Sequence, residues 1–526
     1  MLRSFISADN ISYNLPDNSL LFQNVSFTVN IGNKVALIGN NGSGKSTLVQ
    51  IMAGILAPSS GTLTVNAEPF YLPQTALPTD GSVKTVLDVK GKIAALEAIE
   101  TGDASEEHFR TVSGDWNIRE QIEEELAFWG ISHISAEHNL AAVSGGERKK
   151  LLLAGAFLSG ADIIIFDEPT NDLDRSSRLL FIDRILKTSA GLLIISHDRD
   201  ILEKISYIME LERGKLIFYG GNYTFYRAKK EGTLQALEQK QTTLKGERKR
   251  LKSTMVKDSE KAARNEKVGK TNIAKGRYPR IVAQARKGLS DITLAKKKNA
   301  AAVKIGKIEN QLKAVAAELR KCPIKIPMPA VFYIRERLVE IEEITFAYRD
   351  SVILENFSLL VCGGEKLAVS GDNGTGKTTL VKLIMGTLKP QKGTIKCNGH
   401  FVYLDQNLSV ITPEKSVLEN IRAINPGLTV NEAHAALANF NFRNLQTHKP
   451  AKNLSGGELL RCCMAAVLAT ETHPDLIVMD EPTNNLDIQS LEILESALTQ
   501  YRGGLIIISH DETFLDNIGV NEEIKL

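Results

Sequence analysis

Short apolar runs recur along the chain, and most end at a glycine or an acidic residue. Lys34–Ile38, Ile163–Phe166 and Leu192–Ile195 are three such runs, and stretches of helical composition lie between them. Uninterrupted apolar strands that alternate with helices are typical of a mainly parallel sheet buried on both faces. The pattern therefore predicts an α/β fold.

The middle of the chain has a different periodicity. Leu237, Leu244 and Leu251 recur every seven residues. A second series follows a three-four spacing and consists of Ile305, Ile308, Leu312, Val315 and Leu319. Both spacings are typical of amphipathic helices, and the break at Gly276–Pro279 separates them. We expect an antiparallel helical hairpin whose apolar seams face each other.

The charge of the chain is concentrated in this middle segment. The whole chain carries +2, but residues 229–325 contain 27 Lys and Arg against 9 Asp and Glu, which leaves −16 elsewhere. The basic residues expected at the tip and on the outer faces include Arg248, Lys249, Arg250, Arg277, Arg280, Arg286, Lys287, Lys296, Lys297 and Lys298. A run of lysines is often a solvated helix face, but an uncompensated +18 favours a polyanionic partner. Because Tyr278 is the one aromatic residue of the segment, phosphate contact with structured RNA is favoured over base stacking.

Length and composition narrow the class of protein further. A chain of 526 residues is too long for one core. Its apolar runs, such as Leu151–Leu158, stop far short of the roughly 18 residues that cross a bilayer. The N-terminus has no sustained apolar segment, so no secretory signal is expected. The five cysteines form no C-x-x-C pair, which argues against zinc or iron–sulfur ligation and favours the cytoplasm.

Five sequence blocks occur twice in the same order, which predicts a duplicated domain. The first copy contains Gly39–Ser46, Gln74, Val143–Glu147, Phe166–Asp174 and Ile195–Asp198. The second contains Gly371–Thr378, Gln406, Leu454–Glu458, Met479–Asp487 and Ile508–Asp511. The first copy has 21 more residues between Gln74 and Ser144. We expect one domain over residues 1–228, a basic helical linker over 229–325 and a second domain over 326–526.

The first block is a glycine-rich loop between a predicted strand and a predicted helix, where this pattern binds phosphate. Glycines let backbone N–H groups turn inward at a helix N-terminus and form an anion site. The predicted nucleotide-binding residues are Gly39, Asn40, Asn41, Gly42, Ser43, Gly44, Lys45, Ser46 and Thr47, and Gly371, Asp372, Asn373, Gly374, Thr375, Gly376, Lys377, Thr378 and Thr379. Lys45 and Lys377 would reach the β- and γ-phosphates of ATP.

Oxygen-bearing side chains in the same blocks suit Mg²⁺. A hydroxyl at the start of the helix and the acid that ends the next signature strand would hold the ion together, and a glutamine would sense the metal or the γ-phosphate. The predicted metal-ligating residues are Ser46, Gln74 and Asp167 in the first copy and Thr378, Gln406 and Asp480 in the second.

A second carboxylate follows each of these aspartates. Glu168 and Glu481 are predicted to orient or deprotonate the attacking water. His197 and His510, each at the end of an apolar strand, would donate toward the γ-phosphate. A single glutamate or histidine is as often a cap or a packed side chain, but recurrence at a fixed spacing favours catalysis. Because neither copy lacks a lysine or a glutamate, both sites are predicted to hydrolyse ATP.

Each copy also contains Ser-Gly-Gly-Glu, which resembles the signature motif of ATP-binding cassette (ABC) proteins. Its residues are Ser144, Gly145, Gly146 and Glu147 in the first copy and Ser455, Gly456, Gly457 and Glu458 in the second. The resemblance implies two cassettes that close head to tail on two ATP, so that each signature motif faces the other cassette's lysine. A helix N-terminus can bind phosphate from that side. The resemblance also implies D-loop roles for Asp174 and Asp487, and adenine stacking by Tyr13 and Tyr348.

Two P-loop cassettes joined by a basic α-helical hairpin resemble the ABC-F family of ribosome-associated translation factors and antibiotic-resistance proteins. The resemblance implies a monomer whose linker, with Lys270–Leu289 at its tip, contacts rRNA and tRNA in the ribosome. Two departures stand out: 21 additional residues are few for the family's arm subdomain, and the 16 residues after His510 predict no C-terminal nucleic-acid-binding tail. The ATP-binding subunit of a membrane transporter and a DNA-repair or chromosome-associated ABC ATPase stay open as alternatives.

Overall fold

The computed structural model describes most of the chain. The described residues are 4–526 without 31, 67–68, 75–80, 88–90, 104, 113, 172, 275–279, 320–335, 350, 373, 406–407, 441, 443, 470–472 and 485. Two compact units are present. One comprises Met1–Tyr226 with Ile324–Leu526 and therefore contains both copies of the repeat; the other is Arg227–Pro323.

The first copy has two sheets and eight helices among its described residues. Its strands are β1 (Ser4–Asn14), β2 (Leu20–Asn30), β3 (Lys34–Ile38), β4 (Ser60–Val65), β5 (Phe70–Leu72), β6 (Ile163–Asp167), β7 (Gly191–Ile195), β8 (Tyr207–Glu212) and β9 (Lys215–Tyr219). Its helices are α1 (Lys45–Met52), α2 (Val83–Leu87), α3 (Lys92–Glu100), α4 (Glu106–Val112), α5 (Ile118–Phe128), α6 (Gly145–Leu158), α7 (Arg175–Lys187) and α8 (Arg199–Lys204).

The larger sheet of this copy has the strand order β5-β6-β7-β3-β8-β9. All neighbours are parallel except the β8–β9 pair, as the continuous apolar runs predicted. Asp167 at the end of β6 is in register with Ile195 at the end of β7. Because the carboxyl ends of parallel strands share one edge, the residues after β3, β6 and β7 meet there, which is where ligands bind in such sheets.

A smaller antiparallel sheet, β2-β1-β4, packs beside the first one. The apolar pattern did not predict it, because its strands alternate buried and exposed positions and contain register shifts. Phe22, Val25 and Phe27 of β2 join its buried face to the apolar core around α1.

The linker unit consists of most of α9 (Tyr223–Ala274) and of α10 (Arg280–Leu319). The predicted seams pair: Leu244, Ile308 and Val315 are buried together, and four partly buried leucines, Leu237, Leu251, Leu312 and Leu319, pack against them. Ile305 is half-buried outside this cluster. The predicted break at Gly276–Pro279 lies outside the described residues, as do the side chains of the basic residues 277, 280, 286 and 287.

The first turn of α9 belongs to the other unit. Tyr223 and Tyr226 are buried in the core of the first copy. The Tyr226 hydroxyl donates to Glu210 Oε1 at 2.9 Å, and the Tyr219 hydroxyl donates to Glu210 Oε2 at 3.1 Å. The linker helix therefore begins inside the first cassette.

The second copy repeats the arrangement. Its strands are β10 (Val339–Tyr348), β11 (Ser351–Val361), β12 (Lys366–Ser370), β13 (Lys392–Cys397), β14 (Phe401–Leu404), β15 (Leu476–Asp480), β16 (Gly504–Ile508) and β17 (Glu522–Lys525). Its helices are α11 (Lys377–Ile384), α12 (Val417–Ile424), α13 (Val430–Asn439), α14 (Gly456–Leu468), α15 (Ile488–Gln500) and α16 (Glu512–Ile518). The sheets are β14-β15-β16-β12-β17, which is parallel throughout, and β11-β10-β13. Within the described ranges, no helix has both the length and the apolarity needed to cross a bilayer.

Candidate functional site

The glycine-rich loop of the first copy turns tightly between β3 and α1. Gly39 and Gly44 have φ angles of 152° and 98°, where a side chain is strained. A Cβ on Gly39 would lie 2.5 Å from the carbonyl oxygen of Leu211, so neighbouring backbone also excludes one. Gly44 occupies the N-cap of α1 without a capping side chain, which leaves the first N–H groups of the helix available to an anion.

The loop lysines are held close to their own loops. Lys45 is buried, and its Nζ donates to the carbonyls of Gly39 at 2.7 Å and Asn40 at 3.2 Å. Lys377 Nζ makes the same contacts with Gly371 at 2.6 Å and Asp372 at 3.0 Å. Burial lowers the pKa of both lysines, and nearby carboxylates oppose that shift. Both therefore offer a poorly solvated ammonium group to phosphate.

The predicted hydroxyl and aspartate ligands for Mg²⁺ lie together in both copies. Ser46 hydrogen-bonds to Asp167, and Thr378 Oγ1 donates to Asp480 Oδ2 at 3.2 Å. Burial raises the pKa of both aspartates. A hydroxyl beside a carboxylate fits Mg²⁺, which takes few protein ligands and completes its shell with phosphate and water.

Two tyrosines that sequence reasoning missed contact the same aspartates. The hydroxyls of Tyr71 and Tyr403 each lie 3.4 Å from Oδ2 of their aspartate. Both positions obey the spacing that relates Gln74 to Gln406, which was the available signal. Gln74 lies in the site. Gln406 and Asn373, two of the predicted site residues, lie outside the described residues.

The predicted catalytic glutamates have strained backbones. Glu168 and Glu481 have φ angles of 49° and 48°, which non-glycine residues seldom adopt. The backbone N–H of Glu168 donates to Ile195 at 3.0 Å, and that of Glu481 donates to Ile508 at 2.9 Å. These bonds fix the turn after the strand in the same conformation in both copies.

Each glutamate faces the histidine of its own copy. Glu168 Oε1 lies 3.4 Å from His197 Nε2, and Glu481 Oε1 lies 3.3 Å from His510 Nε2. Burial raises the pKa of Glu168 to about 8, although Lys45 opposes the shift. Burial and the neighbouring lysine lower the pKa of His197 to about 3 and that of His510 to about 4. Burial thus makes the Glu168 carboxylate a stronger base than an exposed one, while both histidines are neutral near pH 7.

The site around Lys45 is composite. A cavity of about 540 Å³ is lined by loop residues, Gln74, Asp167, Glu168 and His197 of the first copy and by Ser455 and Gly456 of the second. Ser455 caps α14, and its Oγ accepts from the N–H of Glu458 at 3.3 Å. The Glu458 carboxylate in turn accepts a hydrogen bond from the backbone N–H of Ser455 at 2.9 Å. The signature motif of the second copy thus directs a helix N-terminus into the site of the first copy. The corresponding contact of Ser144 with the Lys377 site stays a prediction.

The two aspartates predicted to be D-loop residues each lie near the site of the opposite copy. Asp487 Oδ2 accepts from the N–H of Asn41 at 2.9 Å, and Asp487 Oδ1 caps α15 through Ser490 at 2.8 Å. Asp174 caps α7 and lies close enough to Lys377 and His510 to affect the pKa of each. Ser144 caps α6 in a reciprocal box with Glu147, which matches the Ser455–Glu458 pair.

The predicted adenine-stacking tyrosines lie on the small sheets. Tyr13 stacks on Phe22 with ring centres 6.1 Å apart, and Tyr348 is exposed with its ring edge-on to Phe346. Among the described residues that line the cavity, Leu15, Leu21 and Ile195 have aliphatic side chains. Sequence reasoning missed both leucines, because an isolated leucine near a turn carries no signal. Adenine stacking stays a prediction.

Comparisons with known proteins agree with this fold. The family described as "ABC transporter" matches residues 22–171 and 354–484. The chain is 31% identical over 522 residues to the ATP-binding protein Uup of Buchnera aphidicola, covering 96% of this chain and 78% of that protein. It is 30% identical over 528 residues to the energy-dependent translational throttle protein EttA of Mycobacterium tuberculosis, covering 95% and 87%. A solved archaeal structure, ribosome recycling factor aABCE1 in complex with ribosomal stalk protein aP1, shares the fold with a TM-score of 0.60 at 21% identity, covering 97% and 86%.

Proposed function

Because the chain belongs to the ABC family of ATP hydrolases, and within it to the ABC-F type, we propose that it uses ATP binding and hydrolysis to act on the ribosome. The basic linker between the cassettes carries this proposal, since the cassettes alone are common to the whole family. The throttle protein that it resembles is named for an energy-dependent effect on translation. A ribosomal partner would place the protein in the cytoplasm.

Because the Lys45 site combines residues of both cassettes of one chain, we propose that a monomer binds two nucleotides. In the first site Lys45 and the N-terminus of α1 hold the phosphates, and Ser455 at the N-terminus of α14 binds them from the opposite side. Mg²⁺ held by Ser46 and Asp167 would neutralise phosphate charge. Asp487 fixes the loop by its bond to Asn41.

In this site Glu168 and His197 would together carry out hydrolysis. Glu168 orients the water and accepts its proton, and burial makes its carboxylate a stronger base than an exposed one. The neutral imidazole of His197 lies 3.4 Å from that carboxylate and donates one N–H toward the γ-phosphate. Glu481 and His510 perform the same steps in the second site.

The linker would contact RNA through phosphate. Its described side chains include the exposed run Lys296–Lys298. A groove of about 500 Å³ between α9 and α10 is lined by Arg250, Lys304 and Lys307. Basic side chains that displace counterions from rRNA or tRNA give binding that weakens steeply with salt.

Co-sedimentation with ribosomes tests the proposal. A Glu168→Gln, Glu481→Gln variant should pellet with ribosomes in ATP and much less in ADP, because it stays closed on unhydrolysed nucleotide. Replacing Lys296, Lys297 and Lys298 by Gln should reduce the slope of log affinity against log salt by about 2 to 3. The matched control replaces three exposed cassette lysines, Lys382, Lys389 and Lys392, by Gln and should leave the slope unchanged. Retention on membranes but not on ribosomes, in either nucleotide, would refute the proposal.

A further inference from the structure

One buried ion pair joins the two cassettes away from the phosphate-binding loops. Arg199, the first residue of α8, donates to Glu495 of α15 from Nη1 at 2.5 Å and from Nη2 at 3.2 Å. Their side chains are only 5% and 12% exposed. The Tyr223 ring lies 5.8 Å from the Arg199 guanidinium, and Asn517 donates to Glu495 Oε1 at 3.0 Å. The ion pair is thus bidentate and shielded from water, with Tyr223 in contact with the arginine and Asn517 hydrogen-bonded to the glutamate.

The internal repeat identifies the residue of the other cassette that is equivalent to Arg199 and the one that is equivalent to Glu495. Arg199 and Glu512 both stand two residues after the catalytic histidine. Helices α7 and α15 have 13 residues each and begin directly after Asp174 and Asp487, so Ile182 corresponds to Glu495. The two cassettes therefore present different side chains at the same place in their shared interface.

A second ion pair has the same polarity but a different environment. Glu512 pairs with Arg175 at the start of α7, and their side chains are 58% and 52% exposed. In both pairs the first cassette supplies arginine and the second supplies glutamate. Because exposed ion pairs contribute little to stability, the buried Arg199–Glu495 pair is the one that distinguishes a first–second cassette interface from an interface between two like cassettes.

Pairing of like cassettes from two chains would lose this complementarity. Two first cassettes in the same geometry would bury Arg199 against Ile182, which leaves a charge without its partner. Two second cassettes would place Glu512 against Glu495, whose side chain is 12% exposed, and these are like charges. We propose that Arg199 and Glu495 are specificity-determining residues that direct each first cassette to close on a second cassette, and so favour closure within one chain.

This inference rests on the proposed binding of ATP at both sites, but not on a ribosomal role. The experiment therefore uses the full chain without ribosomes, in the Glu168→Gln, Glu481→Gln background, and measures the rate at which bound ATP is released. Co-sedimentation of the Glu168→Gln, Glu481→Gln protein, the parent of the variants below, with ribosomes is measured separately. The ribosomal proposal and this inference can therefore fail independently.

Reversing one charge should break closure within the chain and create closure between chains. Glu495→Arg places arginine against Arg199, and release of ATP should become roughly tenfold faster or more. Two second cassettes of this variant would now pair Arg at position 495 with Glu512, so its mass in ATP, but not in ADP, should rise to that of a dimer. Arg199→Glu combined with Glu495→Arg restores opposite charges within the chain, where effective concentration is high. Its release rate should return to within about threefold of the parent, and its mass to that of a monomer.

The matched control removes the exposed pair with Arg175→Gln and Glu512→Gln and should change ATP release less than about threefold. Glu495→Arg that retains ATP as well as the parent would overturn the proposal. The proposal would also be overturned if the Arg199→Glu, Glu495→Arg variant, shown by circular dichroism to be folded, did not recover the slow release of ATP. A Glu495→Arg variant that stays monomeric in ATP would overturn it as well.

Discussion

Replacement of Ser455 by alanine distinguishes shared sites from private ones. Ser455 belongs to the second cassette but lines the cavity around Lys45 of the first. Its Oγ also accepts from the N–H of Glu458 at 3.3 Å, a long bond, so loss of the cap should cost about 0.5–1 kcal/mol in helix stability. Loss of a hydroxyl donor to charged phosphate adds about 1.5–3 kcal/mol to the cost of binding in that site. Together these terms amount to about 2–4 kcal/mol and predict a decrease of roughly thirtyfold to nearly a thousandfold in hydrolysis at the Lys45 site.

The assay isolates one site at a time by measuring phosphate release in two backgrounds. Glu481→Gln leaves the Lys45 site active, and Glu168→Gln leaves the Lys377 site active. Ser455→Ala should strongly impair the first background and change the second less than about threefold. Ser144→Ala is the matched control and should show the opposite preference. If Ser455→Ala instead impaired the Lys377 site of its own cassette, the composite arrangement would be refuted.

Three further predictions concern catalysis and stability. Glu168→Gln and Glu481→Gln should each leave measurable steady-state hydrolysis while the double variant has none; a single variant as inactive as the double would contradict independent hydrolysis. Gly44 has a φ of 98°, and a Cβ there would lie 2.9 Å from Leu21, so Gly44→Ala should destabilise the first cassette by about 1–3 kcal/mol in thermal unfolding. The control, Gly306→Ala in the open interior of α10, should stabilise the protein by up to about 1 kcal/mol. Equal effects of the two substitutions would argue against a strained loop at Gly44. Tyr226→Phe removes a buried hydrogen bond to Glu210 and should cost about 1–3 kcal/mol by the same measurement, and an unchanged unfolding temperature would show that this bond contributes little.

Local chemistry explains what the sequence could predict. The loop before Lys45 must combine glycines, a lysine and a hydroxyl in a fixed order, and the strands beneath it must be apolar on both faces. The heptad leucines predicted the linker helices for the same reason, since their spacing follows from helix geometry. Such requirements are confined to a few consecutive residues and can be read without tertiary contacts.

The features that escaped prediction depend on residues far apart in the chain. Arg199 and Glu495 are separated by 296 positions, and neither stands in a recognisable pattern. The left-handed backbone of Glu168 accompanies a hydrogen bond to Ile195, 27 residues away, and glutamate has no intrinsic preference for this conformation. Tyr71 carried a signal, its recurrence as Tyr403, but a strand tyrosine suggests packing until the structure shows the aspartate beside it.

The burial of the first turn of α9 sets a rule for exchanging linkers between relatives. Tyr223 and Tyr226 are linker-helix residues by secondary structure but core residues by burial, and Tyr226 shares Glu210 with Tyr219. A chimera spliced at Gly220 or Gly221 would replace Tyr223 and Tyr226 by the relative's residues within the core of the first cassette. A folding defect could then be mistaken for a change of target. A splice after Tyr226 keeps the native core, so any altered activity of the chimera can be assigned to the transplanted helices themselves.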